Sequence, residues 1–539
     1  MAFGIYHLRQ ACNTSVGTQN FTVSGIGTPV AAMFFINANT TGSGINIHTP
    51  VNLQKVGYGF FDGTNQRAIA IAVQPLTTTN TWTKQVDNAS VLVLNHTTGE
   101  LDGIGSATFI SDGVQINWTN PPPTAMLLNC VFFVGNGMSV TVGDFDGDFD
   151  VSVTLGYRPD QVYTFGSANS IAPFESATYG AHPIASASWG CWDGTSNNQT
   201  AIGMYDQDNS SIATNRYNII SNTTCISLPA FNYFCSLSSN ATGFDITASS
   251  IACAYLAIKY NPDLNVPHNI GFIDWPGAKS GNDTIITTFK PQLGIELQST
   301  ETAYDGGAAA IGLSQGFGIF SGANIGTLTV ALNPGFDSGA AWTTTGGAWT
   351  ISSGSAICSS VVETSNLEQA NILTIGETYS ITYTISSFTS GSFTVKCGTT
   401  AGTTRTANGT YNESLVCAGD TTLRLTAATL SVAVVDNFTC TILKSEAFSF
   451  KSIKTSAGSS ESVSQGQDLR LMNLREAISN NGATAELYSI NNNGYTKTIT
   501  SNFTDTTVRK FAWISVGYEY GSSSSSSSSS SLSSSSKSS

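Results

Sequence analysis

The chain has 539 residues, of which only 10% are charged, and a formal net charge of −14; ordinary soluble domains carry roughly 25% charged residues. So few Lys and Arg exclude a surface that tracks a phosphate backbone, and no nucleic-acid partner is expected. No apolar run reaches the roughly 18 residues of a spanning helix, and Met1-Ala2-Phe3-Gly4-Ile5-Tyr6-His7 lacks the charged start and apolar core of a signal peptide, so neither membrane insertion nor export is expected.

The polar load falls on Ser, Thr, Asn and Gly. Thr, with the aromatic and β-branched residues, favours strands, and Gly and Asn favour the turns between them. The chain therefore reads as all-β. In chain order, Phe21-Thr22-Val23 opens the pattern, Pro29 precedes a strand over 32–36, and Gly57-Tyr58-Gly59-Phe60-Phe61 runs into Asp62-Gly63, a dipeptide suited to a turn with positive φ. Residues 67–73 alternate large and small, and strands over 113–118 and 127–134 close the unit.

The same order returns twice. Val151-Ser152-Val153, Pro159, residues 161–165, Cys191-Trp192-Asp193-Gly194, then 244–247 and 254–258 form a second copy. Ile285-Ile286-Thr287, Pro291, residues 293–297, Ile319-Phe320-Ser321-Gly322, then 495–499 and 511–516 form a third. Gly63, Gly194 and Gly322 are 131 and 128 residues apart (194 − 63; 322 − 194), and the three prolines 130 and 132 apart (159 − 29; 291 − 159). A unit of about 130 residues is thus expected three times.

The third copy is interrupted. Gly135 follows Gly63 by 72 residues, whereas Gly517 follows Gly322 by 195, an excess of 123 (195 − 72). The extra chain enters just after Asn324, and the repeat resumes near Glu446. The fold expected is all-β, with three tandem β-sandwich or jelly-roll-like repeats, the third interrupted by an inserted jelly-roll domain. The boundaries are 1–147, 148–278, 279–324 with 446–520, and the insert 325–445. Residues 521–539 are nearly pure serine and predict a disordered tail. Residues 469–478 have a helical composition, but they stand opposite Ser90-Val91-Leu92-Val93-Leu94 in the repeat, which predicts a strand.

Four features invite a chemical reading. Gly312-Leu313-Ser314-Gln315-Gly316 matches a hydrolase nucleophile pattern, but that motif needs a helix after the serine and here a strand follows. Asp144, Asp146, Asp148 and Asp150 could gather oxygen ligands for calcium, yet the spacing and the missing bidentate Glu favour a solvated linker, and no metal site is assigned. Asp337, Glu363, Glu368, Glu377 and Asp436 are the insert's candidates for a glycosidase pair, but their spacing selects none, so no catalytic residue is assigned. Trp342 and Trp349 are the ligand-binding candidates, because an exposed indole stacks on a sugar ring; the competing reading puts both in the insert's core. The ten cysteines include no Cys-x-x-Cys, which argues against zinc, and Cys191, Cys253 and Cys397 read as small buried hydrophobes. No cofactor is expected.

The insert resembles the CenC-type carbohydrate-binding-like jelly-roll modules of bacteriophage tail and fibre proteins. The resemblance rests on Asn333-Pro334-Gly335-Phe336, Trp342, Gly376-Glu377-Thr378-Tyr379 and Asp436-Asn437-Phe438. The flanking units, through Phe61-Asp62-Gly63-Thr64-Asn65 and Tyr157-Arg158-Pro159-Asp160, are similar to repeats of phage virion proteins, with a departure at Ser321 in the third copy. The resemblance implies a structural, non-enzymatic virion protein made in the host cytoplasm: a tail fibre, head fibre or decoration protein. Its implied partners are other virion proteins, a host-surface glycan met through the insert, and further copies of itself in a homo-oligomer. In such modules the closing Asp, here Asp436, is structural. The alternatives are a glycan-degrading appendage enzyme and a cellular surface-layer or adhesin protein, the latter needing an export signal.

Overall fold

The computed structural model describes residues 3–518 apart from 41–53, 74–80, 96–97, 148–149, 168–183, 195–197, 208–215, 229–232, 249–250, 277–280, 300–301, 306–307, 310–313, 322–324, 330–334, 338–341, 353, 360–362, 371, 374–377, 446–447, 455–461, 469, 476–481, 492 and 502–506. The expected disordered tail, 521–539, lies outside these. The described elements are antiparallel strands, joined in one place by a single 3-10 turn, Pro262–Leu264. The chain divides into two compact units, one formed by Met1–Ala323 with Glu446–Ser539, the other by Asn324–Ser445.

The larger unit opens with ten strands: β1 (Gly4–Ala11), β2 (Gly17–Thr22), β3 (Ala31–Thr40), β4 (Gln54–Phe61), β5 (Gln66–Val73), β6 (Thr81–Val86), β7 (Val91–Leu94), β8 (Leu101–Ile110), β9 (Gly113–Asn120) and β10 (Met126–Val134). They form a large sheet ordered β1-β10-β3-β4-β5-β6 and a small sheet ordered β2-β9-β8-β7. Between the two sheets lie Phe21, Phe34, Ile116, Trp118, Leu128 and Phe132. Alternate side chains along each strand supply this face; the intervening residues are mostly exposed in β2, whereas β10 is buried at every position.

Two further pairs of sheets have the same strand order. In the second, the large sheet runs Ser139–Gly147, Ile251–Lys259, Gln161–Ser167, Ile184–Asp193, Gln199–Gln207, Arg216–Ser221, with the short strand Ala308–Ala309 from the third repeat added as a seventh on Arg216–Ser221, and the small one Val151–Thr154, Gly243–Ala248, Tyr233–Asn240, Ile226–Leu228. In the third, the large sheet runs His268–Trp275, Arg509–Tyr518, Lys290–Ser299, Ser314–Ser321, Phe448–Lys454, Ser462–Asp468, and the small one Gly281–Ile286, Gly494–Ser501, Gly482–Asn491, Arg470–Arg475. The third pair thus shares strands between residues 268–321 and 448–518. Arg470–Arg475 is extended, as its place in the pattern predicts, because it completes the small sheet against Gly482–Asn491.

Two expected boundaries move upstream. The cut at 147 would leave Ser139–Gly147 in the first sandwich, but that strand pairs along its whole length with Ile251–Lys259 of the second. The cut at 278 likewise misplaces His268–Trp275, which pairs with Arg509–Tyr518 of the third. Strand β1 is the first sandwich's counterpart of both.

Gly113, Gly243 and Gly494 each open an equivalent strand of a small sheet. A Cβ there would stand 2.0, 1.9 and 1.9 Å from the carbonyl oxygens of Phe21, Val153 and Ile285. Only glycine lets these two backbones approach so closely.

The other faces of the three large sheets bury one another. Their shared core takes Phe35, Tyr58 and Phe133 from the first sandwich, Phe165 and Trp189 from the second, and Leu297 and Phe317 from the third. Phe35, Trp189 and Phe317 meet there in a trio, with ring centroids 6.1, 4.9 and 5.1 Å apart. Each sandwich touches both others. Around the ring, the residue at the end of each fourth strand reaches the first strand of the next sandwich: Asp62 Oδ2 accepts from Val142 N (2.8 Å), Asp193 Oδ1 lies 3.6 Å from His268 Nε2, and Ser321 Oγ donates to Ile5 O (2.7 Å). These are head-to-tail contacts that close after three steps.

The smaller unit, taken by itself, is a sandwich of two sheets. One is ordered Trp349–Ser352, Ser355–Cys358, Val432–Ser445, Thr378–Ser390, Gly409–Val416, with Ile325–Thr329 added on Val432–Ser445; the other is ordered Thr343–Thr345, Ser365–Gln369, Leu423–Ala427, Phe393–Cys397, Thr400–Ala401. Tyr379, Ile381, Tyr383 and Ile385 of one long strand point into its core, while Ser380, Thr382 and Thr384 alternate toward solvent.

Candidate functional site

The two indoles expected to meet a ligand sit inside the smaller unit. Trp342 is 7% exposed and packs on Phe336 and Phe438, with centroids 5.2 and 5.3 Å away. Trp349 is 6% exposed and packs on Phe393 at 5.9 Å. Neither presents an open face to a sugar ring, so the stacking role is corrected to a core role. Trp349 lies on the inward side of a strand whose outward side carries Thr350 and Ser352, and Trp342, just before the strand Thr343–Thr345, is covered by Phe336 and Phe438.

The carboxylates of the insert do not converge as a described pair. Glu368 binds Arg424 at 3.1 Å, and the same guanidinium holds Asp420 at 3.0 Å. That hydrogen-bonded contact keeps the Asp420 carboxyl below its ordinary pKa. Asp436 accepts from Asn437 N at 2.6 Å, where Asn437 turns the chain with φ of 50°. Asp337 and Glu363 are exposed, and Glu377 lies outside the described residues.

A polar group that the sequence did not single out stands on this unit. Glu413, 7% exposed, accepts from Tyr383 Oη (3.1 Å), from Arg405 Nη2 and Nε (3.2 and 3.3 Å) and from Thr403 N (2.6 Å). Arg405 in turn lies over the Tyr411 ring, 4.5 Å from its centroid. Arg405 and Tyr411 are half-buried, so a planar cation and an aromatic edge meet solvent together, held from beneath by a buried carboxylate. Burial, with the neighbouring Glu413 charge, pushes the Tyr383 hydroxyl well up, so Tyr383 serves as a donor.

In the larger unit, the acidic run resolves into structure. Asp144 lies within the strand Ser139–Gly147, and its Oδ1 receives Arg67 Nε at 2.6 Å. The expected linker is therefore a strand up to Gly147, its charge met by Arg67 of the first sandwich. The Asp146 side chain and Asp148 lie outside the described residues, and Asp150 is exposed. Among the described residues no group of three or more His, Cys, Asp or Glu side chains could hold a metal. Ser314 opens a strand that pairs with Phe448–Lys454, so the strand–turn–helix a nucleophilic serine needs does not follow it. All ten cysteines are free and buried, and burial raises the thiols of Cys191, Cys253 and Cys397.

Two further features belong to the larger unit. A cavity of 420 Å3 lies where the second sandwich hands over to the third, lined by Asp160, Lys259, Asn261, His268, Asn269 and Phe289 among others. Inside the third sandwich lies a buried charged cluster. Lys497 Nζ is 2.7 and 2.8 Å from the two oxygens of Glu296, and Tyr495 Oη donates to Glu296 Oε1 at 2.9 Å. Burial, and then the Glu296 charge, pushes the Tyr495 hydroxyl well above its ordinary value.

No protein-family model matches the chain, and no curated protein matches it in sequence.

Proposed function

We propose that the protein is a structural, non-enzymatic virion component, an exposed appendage that carries residues 324–445 as an attachment lobe for a host-surface glycan. One observation carries this reading. The lobe's two ends pair with each other at Ile325↔Ser445, and the strands that flank it in the chain pair with each other at Ile319↔Phe448. An insertion closed at its own base leaves the host hairpin intact, which is how a display module is carried without loading the core that holds it. The phage-like residues of the lobe and of the flanking units supply the virion context.

The ring of sandwiches supports a scaffold role. Its three members already bury each other's apolar faces, so a second copy is not needed to cover them. Arg405 and Tyr411 are the lobe's ligand-facing pair in this reading, in place of the two buried indoles.

Binding of the full chain to a glycan array, compared with a chain in which 324–445 is replaced by a short turn, tests the reading. The full chain is expected to bind and the shortened, folded chain to lose binding; Tyr411→Ala in the full chain should weaken it at least tenfold. Equal binding by both chains would remove the attachment role from the lobe. Release of reducing sugars from host polysaccharide would instead favour an appendage enzyme.

A further inference from the structure

Lys497 occupies a position that is apolar in the other two sandwiches. Counting from the equivalent glycines, it matches Ile116 and Ile246, which are 0% and 1% exposed. Glu296, opposite Gly318, matches Phe34 (opposite Gly59) and Thr164 (opposite Gly190). Two changes in one core have thus placed an amine against a carboxylate where its neighbours carry carbon or a hydroxyl.

A third group completes the set. Asp283 is the direct cross-strand partner of Lys497, and its Oδ2 lies 3.9 Å from Lys497 Nζ. Lys497, Glu296 and Asp283 are 0%, 1% and 7% exposed. Trp275 and Phe511 cover the amine with ring centroids 4.8 and 5.8 Å away. Keeping an ammonium and two carboxylates ionised in a buried core carries a desolvation cost. That cost disappears if the amine and the second carboxyl become a neutral amide.

We propose that Lys497 and Asp283 condense to an intramolecular isopeptide bond, with Glu296 carrying the protons. Glu296 takes a proton from the Lys497 ammonium and passes it to the Asp283 carboxylate, giving a free amine and a carboxylic acid. The Nζ lone pair attacks Asp283 Cγ, the N–C bond forms, and the carbonyl π pair moves to oxygen. Glu296 then takes a proton from that nitrogen and delivers it to the departing hydroxyl. The C–O bond breaks, one water leaves, and Glu296 is ionised as before. Ammonium and carboxylate become amide and water, with no oxidant, metal or activating group. Backbone pairing holds the reacting groups together, and such preorganisation reaches effective concentrations of roughly 10⁵–10⁸ M. Tyr495 Oη, 2.9 Å from Glu296 Oε1, orients the shuttle.

The bond would tie residue 283, before the lobe, to residue 497, after it. The third sandwich is the one whose chain is interrupted, and this link would keep its two segments from being pulled apart through the insertion. The inference goes beyond the attachment role and does not depend on it.

Intact-mass spectrometry of the purified full chain, with peptide mapping, tests the proposal. The expected result is a mass one water below that of the sequence and a branched peptide joining the segments that contain Asp283 and Lys497. Lys497→Arg and Glu296→Gln should each restore the full sequence mass and abolish the branched peptide. A folded wild-type chain with the full sequence mass would overturn the bond, as would a water loss mapped elsewhere, for example to an Asp-Gly turn. A branched peptide that persists in Glu296→Gln would overturn the role given to Glu296. The wild-type mass decides the main question even if the variants fail to fold.

Discussion

The first and third sandwiches share a strand order but not a core. The first fills the space between its sheets with one apolar cluster that includes Phe34, Ile116 and Trp118. In the third, the described apolar residues fall into two smaller clusters, Trp275 with Ala485 and Phe511, and Ile285 with Phe320, Leu487, Tyr495 and Trp513. Lys497 packs on the Trp275 and Phe511 rings of the first of these clusters, and Glu296 bonds to Tyr495 of the second. Register here is therefore held by backbone features common to both, such as the close approach at Gly113 and Gly494, rather than by the identity of the core residues. A charged pair is tolerated at the positions of Phe34 and Ile116 because the amine and the carboxylate meet there at 2.7 Å.

Undoing half of the pair has the largest expected effect. Lys497→Met leaves Glu296 and Asp283 buried without their cation, and should lower stability by at least about 3–5 kcal/mol. Converting the whole set to the first sandwich's residues, Lys497→Ile with Glu296→Phe and Asp283→Gln (the counterpart of Gln19, which faces Ile116), should recover most of that loss. Denaturant midpoints of the three proteins check this; a single variant as stable as wild type would show that the cluster contributes nothing. A smaller effect tests the shared feature. Gly494→Ala and Gly113→Ala should each cost about 1–3 kcal/mol, since the new methyl meets a carbonyl oxygen. A cost at one glycine only would separate the two sandwiches where they are expected to agree.

The gentlest test is alkaline pH. Burial raises Tyr157 and Tyr255 of the second sandwich from 10.0 to about 12. A phenol whose folded value is raised holds its proton longer than in the unfolded chain, so stability is complete below pH 10 and falls as pH rises toward 12. Phenolate absorbance of these two residues should therefore rise together with loss of the sheet signal. Ionisation of these residues well before unfolding would contradict their burial.

The all-β class was legible because turn dipeptides and alternating strands fill the chain. The Asp62-Gly63 turn was legible too: Gly63 has a φ of 93°, and Asp62 Oδ1 accepts from Thr64 N and Asn65 N. The first strands of the sandwiches were not. Gly4–Ala11 sits where a leader would be sought, and Ser139–Gly147 carries Asp144 and Asp146, which look like a solvated connection. Only the position of Arg67, 77 residues away, explains the charge of Asp144. Trp342 and Trp349 failed for a different reason: alternation tells which residues share a face, not which face is covered. Lys497, in Tyr495-Thr496-Lys497-Thr498, reads locally as an ordinary exposed lysine. Setting it beside Ile116 and Ile246 was the signal that could have revealed it. Arg405, Glu413 and Tyr411 come together from a loop and a strand, and no spacing in the sequence announces them.

The central claim is that residues 324–445 are a separable passenger on a scaffold that does not need them. Scanning calorimetry of the full chain against the chain with 324–445 replaced by a short turn tests it most directly. The account predicts that one transition vanishes and the scaffold's own transition keeps its midpoint and enthalpy. A shortened chain that fails to fold, or whose remaining transition collapses, would contradict it.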